Sequence, residues 1–87
     1  MNKKILIVDD DMELVDFLKD YLEKDGYSVT GSYDGKEALK LFRKREFDLV
    51  VLDLMLPEMD GYSVCRRMRR DSEIPIVMLT AKTADEE

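Results

Sequence analysis

The sequence ILIVDDD occupies residues 5–11, and LVVLD occupies residues 49–53. Each stretch is an apolar run, rich in β-branched residues, that ends in aspartate. Continuous apolar runs of this kind are typical of strands that are buried on both faces of a parallel sheet. The two stretches therefore predict central strands whose carboxyl ends carry acidic side chains.

Amphipathic segments lie between and beyond these strands. Leucines at positions 14, 18 and 22 share one helical face, and Gly26 then supplies the residue type that often follows a helix. Asp34 and Glu37 have the spacing of a capping box, which predicts the start of a second helix. The turn-rich residues 56–61 precede a third helix, and IVML at residues 76–79 predicts a fourth strand. Residues 27–33 are more polar and predict an edge strand.

This order of segments is β-α-β-α-β-α-β. Alternation of strands and helices favours an α/β fold, in which a parallel sheet carries helices on both faces through right-handed crossovers. The 87 residues suit one domain.

Composition narrows the classes of function. Twenty acidic residues against fourteen basic ones give a net charge of −6, which disfavours sequence-independent binding to DNA or to anionic lipid. The chain has no histidine, which excludes a histidine-ligated zinc site within it. No signal peptide and no apolar run of membrane-spanning length is evident, so we expect a cytoplasmic protein and no membrane partner.

The aspartates at the strand ends are the candidate functional residues. Asp9 and Asp10 follow the first strand and Asp53 ends the third, so a parallel sheet places all three at the edge where open α/β sheets bind ligands. If the two strands are neighbours, about 4.8 Å apart, the carboxylates repel one another and at least one pKa rises. A hard divalent cation such as Mg²⁺ relieves that repulsion. Asp53 then becomes a plausible nucleophile toward phosphorus, with the Thr80 hydroxyl beside the phosphoryl oxygens and Ala81 leaving room for a ligand.

The strings ILIVDDD (5–11), DLVVLDLMLPEMDG (48–61) and IPIVMLTA (74–81) resemble those of receiver domains from bacterial two-component systems. The resemblance implies a flavodoxin-like, doubly wound parallel sheet with strand order 2-1-3-4 over the part present. It implies that Asp53 is the phosphoacceptor and that Asp9, Asp10, Asp53 and the backbone carbonyl of Met55 hold Mg²⁺. Thr80 would be the switch hydroxyl, with Ala81 next to it.

The resemblance also implies what lies outside this chain. Residues 1–87 are expected to be a partial receiver domain, truncated after strand four, without strand five, the last two helices or an effector domain. The family's catalytic lysine belongs to strand five, so none is assigned here, and Lys82 does not match it. The sequence looks most like the OmpR/PhoB-type subgroup, whose members control transcription through a DNA-binding domain. An exposed sheet edge or face would favour self-association.

The function expected from these observations is signal transduction: a histidine kinase donates a phosphoryl group to Asp53. The protein would not be an enzyme beyond catalysing its own phosphotransfer and dephosphorylation. One alternative is a binding-only fragment that docks a kinase or another receiver without being phosphorylated. More remote alternatives are a fragment of a haloacid-dehalogenase-type phosphatase and a nucleotide- or flavin-binding domain; the latter lacks a glycine-rich phosphate loop.

Overall fold

The computed structural model describes residues 2–79 of the chain. Its elements alternate as predicted: β1 (Lys4–Val8), α1 (Met12–Lys24), β2 (Ser28–Ser32), α2 (Gly35–Lys44), β3 (Leu49–Asp53), α3 (Gly61–Arg69) and β4 (Ile76–Leu79). The four strands form a parallel sheet in the order β2-β1-β3-β4. Both the α/β class and the strand order expected of a flavodoxin-like sheet are therefore confirmed. Among residues 2–79, no helix is long and apolar enough to cross a bilayer.

Alternation along the strands divides the interior into two cores. Leu6 and Val8 of β1 point into the larger core, where they pack with β3, α2 and α3. Ile5 and Ile7 point to the opposite face, where Val15 of α1 and Val29 of β2 complete a smaller buried cluster. Because both faces of β1 are covered, its apolar residues are continuous rather than alternating.

The helices begin where aspartate side chains satisfy free backbone N–H groups. Asp11, Asp34 and Asp60 are the N-caps of α1, α2 and α3. The carboxylate of Asp34 accepts from the Glu37 N–H at 2.8 Å, and the Glu37 carboxylate accepts in turn from the Tyr33 N–H at 3.3 Å. The predicted capping box is thus present, although its return bond reaches Tyr33 rather than the capping residue itself.

The first helix is less buried than its leucine spacing predicts. Val15 is the buried residue of α1, whereas Leu14, Leu18 and Leu22 are only partly buried. The helix packs over β1 and β2, while α2 and α3 cover the other face of the sheet. Within residues 2–79 the α1 side of β3 and β4 has no helix above it, which explains why that side of α1 stays accessible.

Candidate metal centre

The acidic site forms at the carboxyl ends of the two central strands. β1 and β3 are neighbours in register, with Val8 opposite Leu52, so Asp9 and Asp53 emerge side by side. Carboxylate oxygens of Asp9, Asp10 and Asp53 all lie within 4.8 Å of one another. The structure therefore brings together the three aspartates that the topology predicted would meet.

Backbone hydrogen bonds fix the orientation of the two buried carboxylates. Asp9 Oδ1 accepts from the Asp11 N–H at 2.9 Å, and Asp53 Oδ1 accepts from the Met55 N–H at 3.0 Å. The Asp9 N–H itself donates to the Ser32 carbonyl at 3.1 Å, which ties the residue to the end of β2. Both carboxylates are consequently held in place before any ligand arrives.

The carboxylates of the cluster carry like charges, and the pKa of Asp9 responds to them. Burial raises the pKa of the Asp9 carboxyl above its usual value. The hydrogen bond from the Asp11 N–H lowers this pKa, whereas the negative charges of Asp53, Asp10 and Asp11 raise it further. This is the pKa perturbation that the clustered aspartates predict. A cation at the site would relieve the repulsion that adds to the effect of burial.

The donor set fits Mg²⁺. An octahedral ion with oxygens at about 2.1 Å places its ligands about 3 Å apart when adjacent and about 4.2 Å apart when opposite. Carboxylate oxygens within 4.8 Å of one another reach those separations by small side-chain movements or through one bound water. Two or three carboxylates with room for water are also the ligands that this ion prefers.

Asp11 takes a different role from its two neighbours. Its carboxylate accepts from the Leu14 N–H at 3.2 Å and so caps α1. Of the three successive aspartates, two face the cluster and the third begins the helix. Aspartate is among the residue types that most often cap a helix, because its carboxylate accepts from the free N–H groups of the first turn.

Two supporting features were missed from the sequence. A Cβ on Gly61 would lie 2.5 Å from the carbonyl oxygen of Asp53 and 2.6 Å from Leu54 Cα, so only glycine allows α3 to begin this close to the acidic site. The fully buried Ser32 hydroxyl donates within the β2–α2 connection, where the Asp34 carbonyl at 3.1 Å and Glu37 Oε1 at 3.2 Å are its partners. A glycine after Asp60 and a serine at a strand end carry no sequence signal for these contacts.

The structure describes Met55 but not the other two predicted site residues, Thr80 and Ala81. Met55 is exposed, and its N–H is bonded to Asp53, but a metal contact by its carbonyl stays a prediction. Thr80 and Ala81 lie outside the described residues.

Comparison with known proteins shows to which family this chain belongs. The family model described as "Response regulator receiver domain" matches residues 5–87. The fold is also similar to that of a receiver domain protein (CheY-like) from Methanospirillum hungatei, with 32% identity and a TM-score of 0.88 over 92% of this chain and 65% of that one. The chemotaxis protein CheY4 of Vibrio cholerae is 33% identical, with a TM-score of 0.91 over 97% of this chain and 72% of that one.

A third similar structure is a complex with a ligand. The response regulator TrrA of Thermotoga maritima, in complex with Mg²⁺ and BeF, is 38% identical with a TM-score of 0.84 over 91% of this chain and 70% of that one. The present chain thus spans about two thirds of the length of these solved structures. The family-model match, supported by this shared fold, shows that the chain belongs to the response regulator receiver domain family.

Proposed function

We propose that this chain is a phosphoacceptor module in which Asp53 receives a phosphoryl group at a Mg²⁺ site formed with Asp9 and Asp10. The observation that carries the proposal is the convergence of these three carboxylates, within 4.8 Å of one another, at the ends of two adjacent strands. Membership of the receiver family supports it, because receiver domains of two-component systems are phosphoacceptors. The same membership favours this function over the phosphatase and nucleotide-binding alternatives.

Phosphoryl transfer to Asp53 depends mainly on positioning and on stabilisation of charge by the protein. One carboxylate oxygen of Asp53 forms a bond to phosphorus while the bond from phosphorus to the donor's leaving group breaks, and the leaving group departs with the bonding electron pair. The Met55 N–H holds the other oxygen of Asp53, which fixes the direction from which the carboxylate attacks. Mg²⁺, when bound, would neutralise charge on the oxygens of the transferred group.

The donor set for that ion is Asp9, Asp10 and Asp53, with the Met55 carbonyl as a further proposed ligand. Burial and the neighbouring carboxylates raise the pKa of Asp9. A bound cation would favour the charged form of this carboxylate. The complex of TrrA with Mg²⁺ and BeF supports the proposal by similarity. We propose that Thr80 and Ala81 contact the phosphoryl group.

Further assignments remain proposals about the parent protein. We propose a sensor histidine kinase as the phosphoryl donor, self-catalysed phosphotransfer and dephosphorylation, and a cytoplasmic location. An OmpR/PhoB-type parent that controls transcription through a separate DNA-binding domain is the proposed context. The assignment of residues 1–87 as a partial receiver domain likewise stays a prediction.

Incubation with acetyl phosphate and Mg²⁺, followed by intact-protein mass spectrometry, tests the function. We expect the mass gain of one phosphoryl group in the wild type and none in Asp53→Asn. Asp60→Asn is the matched control, because Asp60 lies close to the site in sequence but serves as an N-cap, a role that asparagine also fills. Magnesium binding without any mass gain would instead favour the binding-only alternative, and phosphorylation that persists in Asp53→Asn would refute the assignment of the phosphoacceptor.

A further inference from the structure

Helices α2 and α3 differ in charge from the rest of the chain. Together they contain seven basic residues and one acidic residue, whereas the remainder of the chain contains seven basic and nineteen acidic residues. The acidic residue, Glu37, is used within the fold, since its carboxylate accepts from the Ser32 hydroxyl and the Tyr33 N–H. The helices on this face of the sheet are therefore strongly positive, although the chain has a net charge of −6.

Structural roles account for only part of this positive charge. Basic residues in the last turn of a helix interact favourably with its dipole, which applies to Arg43 and to the arginines of α3. Arg69 Nη1 also donates to the Ile74 carbonyl at 2.6 Å and so holds the connection to β4. The dipole does not account for Lys40 in the middle of α2, and it disfavours Lys36 in the first turn.

The outer sides of the two helices carry two rows of exposed side chains. Residues four apart on a helix lie on one face, about 6 Å apart along the axis. Each row lies opposite the buried residues of its helix, which are Ala38 and Leu39 in α2 and Val64 and Met68 in α3. The rows, which we call the basic face, are Lys36, Lys40 and Lys44 on α2 and Tyr62, Arg66 and Arg70 on α3.

Corresponding members of the two rows lie at the same level along their helices. Lys40 and Arg66 each lie five residues after the first residue of their helix, and Lys44 and Arg70 each lie nine residues after it. The two helices contact each other and run in the same direction, because both follow strands of a parallel sheet. Axes of packed helices are about 8–10 Å apart. Pairs of cations therefore recur about every 6 Å along the basic face.

We propose that the basic face binds an acidic helix of a partner protein. Carboxylates at every fourth position of such a helix recur at the same interval of about 6 Å, so successive carboxylates meet successive pairs of cations. Arginine and tyrosine are enriched at the centres of protein interfaces, and arginine binds a carboxylate through two hydrogen bonds. The net charge of −6 disfavours a nucleic acid as the occupant, because binding to phosphates depends on a positively charged domain.

Fluorescence anisotropy with a labelled peptide tests the proposal. The peptide is alanine-based, about 20 residues long so that it can form a helix, and has glutamate at every fourth position. At about 150 mM salt, where exposed charges more than about 8 Å apart are screened, we expect it to bind the 87-residue chain. The same peptide with glutamine should not bind. Arg66→Glu/Arg70→Glu should raise the Kd at least about tenfold, and the milder Arg66→Gln/Arg70→Gln should raise it less.

Lys3→Glu/Lys24→Glu is the matched control, because it makes the same change in net charge at exposed residues outside both rows. It should bind the glutamate peptide as the wild type does, and circular dichroism verifies the fold of every variant. Failure of the glutamate peptide to bind, equal binding of the glutamine peptide, or an equal loss in the control would overturn the proposal. Tighter binding of a duplex DNA of the same net charge, or self-association of the wild type that Arg66→Glu/Arg70→Glu abolishes, would also overturn it by identifying a different occupant.

Discussion

Gly61→Ala is the substitution whose effect the structure determines most sharply. Gly61 is the first residue of α3, directly after the capping Asp60. A Cβ there would lie 2.5 Å from the Asp53 carbonyl oxygen and 2.6 Å from Leu54 Cα. Both obstructing atoms belong to the backbone of the β3 end, so neither can move aside as a flexible side chain would. Either α3 or the end of β3 must shift by roughly half an ångström or more to restore ordinary contact distances.

The expected cost follows from two opposing effects. Overpacking a well-packed region typically costs about 1–3 kcal/mol. Replacing glycine by alanine returns at most about 0.5–1 kcal/mol, because the unfolded chain loses conformational freedom. We therefore expect Gly61→Ala to lower the free energy of unfolding by about 1–2 kcal/mol, equivalent to a fall in Tm of about 4–16 °C for a domain of this size.

Gly35→Ala is the matched control. Gly35 is also the first residue of a helix and also follows a capping aspartate, Asp34. A Cβ at that position would meet side chains instead, with Val64 Cγ2 at 2.8 Å and Met59 Sδ at 3.3 Å. Because side chains can adjust, we expect this variant to lose at least about 1 kcal/mol less than Gly61→Ala. Urea unfolding of both variants, under identical conditions, measures the difference.

The position of the clash also predicts a second effect. The obstructed atom is the carbonyl oxygen of Asp53 itself, so Gly61→Ala should weaken Mg²⁺ binding as well as stability, whereas Gly35→Ala should not. Equal losses of stability in the two variants, or an unchanged Mg²⁺ affinity in Gly61→Ala, would refute the inference that this glycine is required by the backbone of the acidic site.

Two further substitutions test the electrostatics of the strand ends and the helix caps. Because the pKa of Asp9 is raised on folding, Asp9 destabilises the folded chain progressively as pH rises through the interval between its usual pKa and its raised one. Asp9→Asn should therefore be more stable than the wild type at pH 7 without Mg²⁺, in denaturant unfolding, and the gain should disappear below the ordinary aspartate pKa; a gain that is independent of pH would contradict the assigned cause. Asp60→Ala removes the bond that the Ser63 N–H donates at 2.8 Å and should cost about 1 kcal/mol in thermal unfolding, while Asp60→Asn should cost much less; equal effects would show that capping is not what Asp60 contributes.

The strands and the acidic edge were accessible from the sequence because they depend on local patterns. The apolar runs before Asp9 and at residues 49–52 sit on both faces of the sheet, so their composition identifies central strands without further information. Once two parallel strands are expected to be neighbours, their terminal aspartates must meet. The neighbour relation itself rested on the resemblance to receiver domains, since periodicity alone does not order strands.

What the sequence did not reveal depends on contacts between distant segments. Gly61 touches the backbone of Asp53 only because α3 begins against the end of β3, and nothing in a turn sequence specifies that distance. The partial burial of Leu14, Leu18 and Leu22 likewise depends on what lies beside α1, and not on their spacing. Local periodicity predicts which face of a helix is apolar, but the neighbouring elements decide how much of that face is buried.

Isothermal titration of the chain with Mg²⁺ at neutral pH tests the central claim most directly. If the aspartates at the ends of β1 and β3 form a cation site, the wild type should bind one ion per chain, and Asp53→Asn should bind it at least about tenfold more weakly. Asp60→Asn, which leaves the cluster intact, should match the wild type. No magnesium uptake by the wild type, or the same affinity in Asp53→Asn, would contradict the proposal that these carboxylates share a divalent cation.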